Sequence, residues 1–231
     1  MSDDDAAEFD PRNGLVNRIT YRTLKYPAWG AFKAWNRITV EGLENLPSGP
    51  CVWVPNHRSY IDTPIHAAIP AQMRVMGKDS MWKYRPVGWV FTTVGCFPVK
   101  RDAPDRTALR TALDALRYGD CPVVMFGEGE RKDGPRVHPL MDGPAYLAAR
   151  AQVPIVPVGI GGSAAAMPRG AKFMYPRRIR IVVGEPMDPP QLGSSGRVSR
   201  RAITATTEEL RERIQILFDE AQARAGTPNQ H

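Results

Sequence analysis

Asn56, His57 and Asp62 stand in the stretch VPNHRSYIDTP, residues 54–64. Histidine is the usual general base near neutral pH. A carboxylate on its second ring nitrogen fixes the tautomer and stabilises the imidazolium as it forms. Five positions separate His57 from Asp62. At roughly 100° per residue that is about 500° on one continuous helix, which points the two apart. The pair works only if the chain turns between them, and the sequence allows a strand, a turn at Pro55-Asn56 and a helix beginning near Asp62 with Pro64 in its first turn. An aspartate that merely caps a helix beside a loop histidine fits the same spacing, so the pair alone leaves both readings open.

Three further stretches carry chemistry-bearing residues. GCFPVKRD is a β-like run that delivers Arg101 at its end, and arginine presents a permanently charged planar fork suited to phosphate. VVMFGEGERKDG runs from an apolar strand into Gly127, Glu128, Gly129, Glu130 and Arg131, where glycines permit close backbone approach to a ligand. VPIVPVGI carries Pro154 and Pro157 inside a β-like run, which points to an edge or wall segment with a structural role. A surface arginine at a strand end and a solvated turn of mixed charge are the plain alternatives for the first two.

Positioning such residues is the task of the surrounding elements. Short apolar runs at 51–54, 73–76, 95–99, 122–126, 154–160 and 178–184 read as strands, mostly apolar on both faces. Between them, residues 105–119 repeat apolar positions at helical spacing and close on Gly119, and 143–152 is a second helical stretch. This alternation predicts an α/β fold: a single domain over residues 38–231, with a largely parallel central sheet covered by helices. A C-terminal helix is expected over 206–225, opened by a Thr206–Glu209 capping box, with Leu210, Ile214, Leu217 and Ala221 on one face and Gly226 as its stop. Residues 1–12 are acidic and poor in apolar groups, and read as a disordered tail. Residues 13–37 read as short amphipathic helices in which Arg18, Arg22, Lys25, Lys33 and Arg37 alternate with aromatics, a pattern suited to a membrane interface or to packing on the body of the protein.

Composition narrows the classes. The chain has 231 residues, is 42% hydrophobic and 24% charged, and carries a formal net charge of +7 with a pI near 9.5. That balance favours anionic partners. The basic residues are spread along the chain without a nucleic-acid-binding motif, so no nucleic acid is expected. Cys51, Cys96 and Cys121 lie in or beside apolar runs, at spacings that suit buried reduced thiols rather than disulfides or a zinc pair. No signal peptide and no membrane span is legible, which predicts a peripheral protein on the cytoplasmic face of a membrane.

Together and in this order, the four stretches resemble the motifs of the glycerolipid acyltransferase family, which includes the 1-acyl-sn-glycerol-3-phosphate acyltransferases. The N-H-x4-D motif is matched by Asn56, His57 and Asp62. The second, ending in a phosphate-binding arginine, is matched by Gly95, Phe97 and Arg101. The third, commonly F-P-E-G-T-R, is matched by Phe126, Glu128, Gly129 and Arg131, with Gly127 and Glu130 departing from it. The fourth is the V-P-I-V-P-V segment at 153–158, and residues 77–89 resemble the K-x-E-L-x-x-x-P-x-x-G stretch through Lys78, Pro86 and Gly88. The resemblance implies His57 as general base and Asp62 as its orienting acid. It implies Lys78, Arg101 and Arg131 as the phosphate-binding set, and places Glu128 and Gly129 in the acceptor-binding motif. No cofactor or metal is implied. The donor would be an acyl-CoA or acyl carrier protein thioester. The acceptor would be 1-acylglycerol-3-phosphate, with glycerol-3-phosphate, another lysophospholipid or a glycolipid as alternatives. A thioesterase acting on water remains a more distant one. An anionic membrane surface is the implied platform.

Overall fold

The structure is a computed structural model and describes residues 23, 27, 30, 33–69, 71, 73–84, 88, 91–92, 95–99, 106–119, 121–193 and 196–230. The expected tail at 1–12, most of the amphipathic segment 13–37, and Pro86 and Arg101 lie outside the described residues.

Seven strands form one sheet: β1 (Thr39–Glu41), β2 (Val52–Pro55), β3 (Arg74–Lys78), β4 (Cys96–Val99), β5 (Val123–Val124), β6 (Ile155–Gly161) and β7 (Arg180–Val183). Their order across the sheet is β1-β7-β6-β2-β5-β3-β4. β6, β2, β5, β3 and β4 run parallel, and β7 returns antiparallel beside β6 with β1 parallel to it. The expected α/β architecture is therefore present. β1 and the antiparallel return were not legible, because three residues of TVE carry no alternation long enough to read.

Among the described residues, the helices that cover or follow the sheet include α1 (Arg106–Tyr118), α2 (Gly143–Ala151), the single turn α3 (Ser163–Ala166) and α4 (Arg200–Ala225). Alternating strand residues supply both faces of the sheet. Val52, Val54, Val123 and Ile155 pack with Ala112, Leu116, Leu147, Leu210 and Phe218 from α1, α2 and α4. Trp53, Val124, Val156 and Val158 pack with Ile61, Ile65 and Ile69 on the other side. Burial on both faces is why these strands read as unbroken apolar runs.

Two expectations are corrected. β6 is not an edge strand: it lies between β7 and β2, and all seven of its residues are buried. Pro157 is tolerated because the β6–β7 ladder steps by one residue beside it. Val158 pairs with Val183, whereas Ile155 bridges to Met187, and the Pro157 carbonyl still accepts from Gly184 N–H at 2.9 Å. A proline at such a bulge gives up no regular ladder bond. α4 begins at Arg200 rather than 206. Ser199 Oγ accepts from Ala202 N–H at 3.1 Å as the cap, and buried Ile203 carries the apolar stripe back past Thr206. Its end is as expected, with Gly226 left-handed at φ 84°.

α4 lies very close to β6. A Cβ placed on Gly159 or Gly161 would fall 2.2 Å from the backbone of Leu217 or Ala221. Only glycine admits that approach.

Candidate active site

The site is built where β2 ends. Asn56 follows Pro55 and is fully buried. Its Nδ2 donates to Ile160 O at 3.1 Å, and its Oδ1 accepts from Ile160 N–H at 2.7 Å. A side-chain amide alone offers a donor and an acceptor in that pairing, so Asn56 splices the turn onto β6 as a peptide group would.

The chain then turns through a 3-10 segment, Tyr60–Asp62, followed by another, Pro64–Ala68. The expected turn between His57 and Asp62 is present, in 3-10 rather than α-helical form. His57 Nδ1 lies 2.9 Å from Asp62 Oδ2. The same oxygen accepts from the backbone N–H groups of Arg58 and Ser59, each at 2.6 Å. Asp62 is completely buried. Burial alone would raise its carboxyl, but the bond and charge of His57, the dipole of the neighbouring Ser163 hydroxyl and the Ser59 N–H outweigh it and hold the group below its ordinary value. Asp62 Oδ1 and Ser163 Oγ are both buried, and neither completes a hydrogen bond of ordinary geometry. The serine therefore acts on the carboxylate as a nearby dipole. Because the carboxylate occupies Nδ1, Nε2 is the nitrogen His57 has left for a substrate. The ring is stacked on Phe126 with centroids 4.1 Å apart and planes 23° from parallel, which fixes its orientation.

Behind the pair stands a buried clamp. Glu128 Oε2 accepts from the His57 backbone N–H at 2.8 Å, and Arg58 Nη1 reaches Glu128 Oε2 at 2.8 Å and Oε1 at 3.0 Å. His138 N–H adds a 3.0 Å bond to Oε1. Arg58 also donates to the carbonyls of His57 and Arg136 and lies 4.9 Å from the Phe218 ring centroid. Glu128 is thus turned inward, tying the loop after β5 to the turn after β2. Leaving one member of such a pair alone in the interior costs about 3–5 kcal/mol. Sequence reasoning did not single out Arg58 or Ser163. Arginine in a turn is ordinarily exposed, and nothing local announces that Glu128, 70 positions away, will receive it.

Arg131 places its guanidinium 3.4 Å from the centroid of the Tyr60 ring, next to the turn that carries His57 and Asp62. Gly129 has φ 71°, and a Cβ there would meet Met141 Sδ at 2.8 Å, so the loop needs glycine for its turn and its packing. Glu130 points outward and pairs with Lys132 Nζ at 2.6 Å, which neutralises the charge that departs from the third motif. Gly127 faces Leu140, whose methyl would stand 3.2 Å from an added Cβ. Lys78 is the exposed last residue of β3. β2, β5, β3 and β4 are parallel, so His57, the Glu128–Arg131 loop and Lys78 share the carboxyl end of the sheet, where ligands of α/β sheets bind. Burial pushes the Cys51 and Cys96 thiols up to about 12, so neither supplies a thiolate at neutral pH.

A largely parallel sheet with a buried carboxylate–imidazole pair at its carboxyl end is the arrangement of an α/β enzyme equipped for proton transfer. The chain belongs to the acyltransferase family: the model described as "Acyltransferase" matches residues 37–161, which contain His57, Asp62, Lys78, Glu128, Gly129 and Arg131. Among its relatives is 1-acyl-sn-glycerol-3-phosphate acyltransferase BAT2, chloroplastic, of Brassica napus, 29% identical over 156 residues, 65% of this chain and 45% of that protein. The chain thus spans less than half the length of that relative. A Bacillus subtilis 1-acyl-sn-glycerol-3-phosphate acyltransferase is 26% identical over 81% of this chain and 88% of its own. The crystal structure of the 1-acyl-sn-glycerophosphate (LPA) acyltransferase PlsC from Thermotoga maritima superposes with a TM-score of 0.69, covering 92% of this chain and 84% of that one. At 24% identity that likeness is one of fold.

Proposed function

We propose that the protein transfers a fatty acyl group from a thioester to the free hydroxyl of 1-acylglycerol-3-phosphate, giving phosphatidic acid. The observation that carries this reading is the 2.9 Å His57 Nδ1–Asp62 contact, which leaves Nε2 as the free face of the imidazole. The relatives' names support the acceptor.

His57 Nε2 takes the proton of the acceptor hydroxyl as its oxygen attacks the thioester carbonyl. Asp62 holds the ring in the tautomer that exposes a basic Nε2, and stabilises the imidazolium. The tetrahedral intermediate collapses, the carbon–sulfur bond breaks, and the thiol leaves with the proton from His57. Both substrates are held while the hydroxyl is aimed, so no acyl-enzyme is needed. Lys78, Arg101 and Arg131 bind the acceptor phosphate, while Glu128 and Gly129 shape the loop that carries Arg131. The donor is an acyl-CoA or an acyl carrier protein thioester, and neither cofactor nor metal takes part. No helix among the described residues is long and apolar enough to cross a membrane. The enzyme works as a peripheral protein on the cytoplasmic side of an anionic membrane.

The test is thiol release from palmitoyl-CoA with no acceptor, with glycerol-3-phosphate and with 1-acylglycerol-3-phosphate, each beside His57→Ala. Release that requires 1-acylglycerol-3-phosphate and falls about 10²–10⁴-fold in the variant is expected. Release without acceptor would make the protein a thioesterase, and undiminished turnover in the variant would remove His57 from the chemistry.

A further inference from the structure

A second cluster of positive charge lies apart from the dyad. A cavity of about 560 Å³ is lined by Arg37, Arg177 and Arg178 together with Ala165 of α3 and Gly226 and Thr227 at the end of α4. No carboxylate lines it. Among the described residues the three guanidinium groups have no hydrogen-bond or ion-pair partner. Arg224, on the same end of α4, is by contrast paired with Glu41 and Glu220. The three arginines are solvent-exposed and share one cavity without a counter-charge, so an anion seated there would be attracted by all three. The α4 C-terminus does not suffice. Its dipole amounts to about half a negative charge against three positive ones. Two of its last four carbonyls, those of Gln222 and Ala223, are moreover already engaged by the N–H groups of Gly226 and Thr227.

Topology fixes where the cavity faces. Arg180 pairs with Gly161 at the end of β6 and with Thr39 at the start of β1. Arg37 and Arg178 therefore stand at the same end of the sheet as His57, which follows the parallel strand β2. At about 4.8 Å per strand, β7 and β1 lie roughly 10–15 Å to the side of β2. Exposed aromatics stand within four residues of Arg37 and Arg177 in the chain. Trp35 and Tyr175 are half exposed and Phe173 is 79% exposed. Trp35 Nε1 donates to Met174 O at 3.2 Å, and Asn36 Nδ2 donates to Tyr175 O at 2.9 Å and Arg177 O at 3.2 Å. These bonds hold aromatics and arginines on one surface.

We infer that the Arg37–Arg177–Arg178 cavity binds the phosphate of an anionic phospholipid in the bilayer, separately from the acceptor's phosphate, and that the surrounding aromatics sit at the membrane interface. Arginine forks match phosphate oxygens, and exposed aromatic rings beside basic groups suit the headgroup level. The inference rests on the reading that the acceptor is drawn from a membrane. Docking here presents the carboxyl end of the sheet, with the dyad, towards the lipid.

The test is co-sedimentation with phosphatidylcholine vesicles, with and without phosphatidylglycerol. The site variant is Arg37→Asn, Arg177→Gln and Arg178→Gln combined. Asparagine is chosen because Arg37 has φ 44°, a conformation it tolerates. A control removes the same charge at the other end of the 26-residue α4, roughly 39 Å away, through Arg197→Gln, Arg200→Gln and Arg201→Gln. Phosphatidylglycerol-dependent binding is expected to fall at least tenfold in the site variant and little in the control. Equal losses in both, or no loss in the site variant, overturn the inference. If the combined variant melts far below the parent protein, the three single variants decide: each is expected to weaken binding and its salt dependence, and three unchanged affinities overturn the site. Coenzyme A that displaces the wild type from vesicles would assign the cavity to a soluble phosphate ester and overturn the lipid assignment. Thiol release measured on the same preparations reports the proposed reaction independently, so its failure is distinguishable from failure of vesicle binding.

Discussion

Asp62 Oδ2 accepts three hydrogen bonds, from His57 Nδ1 and from the N–H groups of Arg58 and Ser59. It holds the turn closed and, in the proposed reaction, orients the base. Asp62→Asn keeps the size of the side chain but removes the charge that favours the productive tautomer. A fall in kcat of about 10²–10⁴ is expected, with a smaller change in acceptor KM, and steady-state kinetics separate the two. A second buried histidine gives a pH prediction. His66 Nε2 accepts from Trp53 Nε1 at 3.1 Å, and Nδ1 lies 3.2 Å from Thr63 O, so the ring is held neutral. Burial lowers its pKa from 6.5 to about 4. Between those values the unfolded chain carries a proton that the folded chain does not, so stability falls as pH drops from about 6.5 to about 4. At about 1.4 kcal/mol per pH unit the loss approaches 3 kcal/mol. The depressed Asp62 carboxyl acts in the same direction at still lower pH, since its contribution is lost as pH falls through its folded value. His66→Gln keeps an acceptor for Trp53 without a titrating ring, and urea unfolding at pH 7 and pH 5 should show a flatter dependence. The dyad residues were legible because they sit five positions apart in one turn. Arg58, Ser163 and His66 were not, since their burial comes from segments far along the chain.

At the scale of elements, β6 does more than fill the core. Its Ile160 holds Asn56, and its two glycines let α4 settle on it. Gly161→Ala forces a methyl into the backbone of Ala221, so α4 must lift. Destabilisation of about 1–3 kcal/mol or more is expected, read from the urea midpoint. Turnover in the proposed reaction should fall with it, because the shift passes through Ile160 to the turn that carries His57. An unchanged midpoint would mean that α4 is not seated as described. Strand and helix positions were readable from apolar runs and helical spacing. The start of α4 was misplaced because Thr206–Glu209 mimics a cap, whereas Ser199 is the residue that caps. The place of β6 in the sheet was misjudged because its proline reads as an edge signal until the bulge beside it is seen.

At the scale of the molecule, the fold gathers the groups proposed to meet ligands at one end of one sheet. His57, Lys78 and the Glu128–Arg131 loop follow parallel strands, and Arg37 and Arg178 precede the two strands that run the other way. The net charge of +7 indicated anionic partners without saying where they would be met. Only the strand order, which no local pattern encodes, shows that the turn of His57 and Asp62 and the arginine cavity lie at the same end of the sheet.

The bonds that hold the turn of His57 and Asp62 in place also span the chain: Asn56 to Ile160 across 104 positions, and His57 to Glu128 across 71. Contacts so distant in sequence close late, because loop entropy must be lost before they form. During refolding from urea, helical signal should therefore recover before catalysis. Thiol-release activity would appear only as β2, β5 and β6 come together, so the enzyme's own turnover serves as a clock for completion of its sheet. Activity returning in step with the earliest helical signal would show that the turn after β2 organises itself without its distant partners.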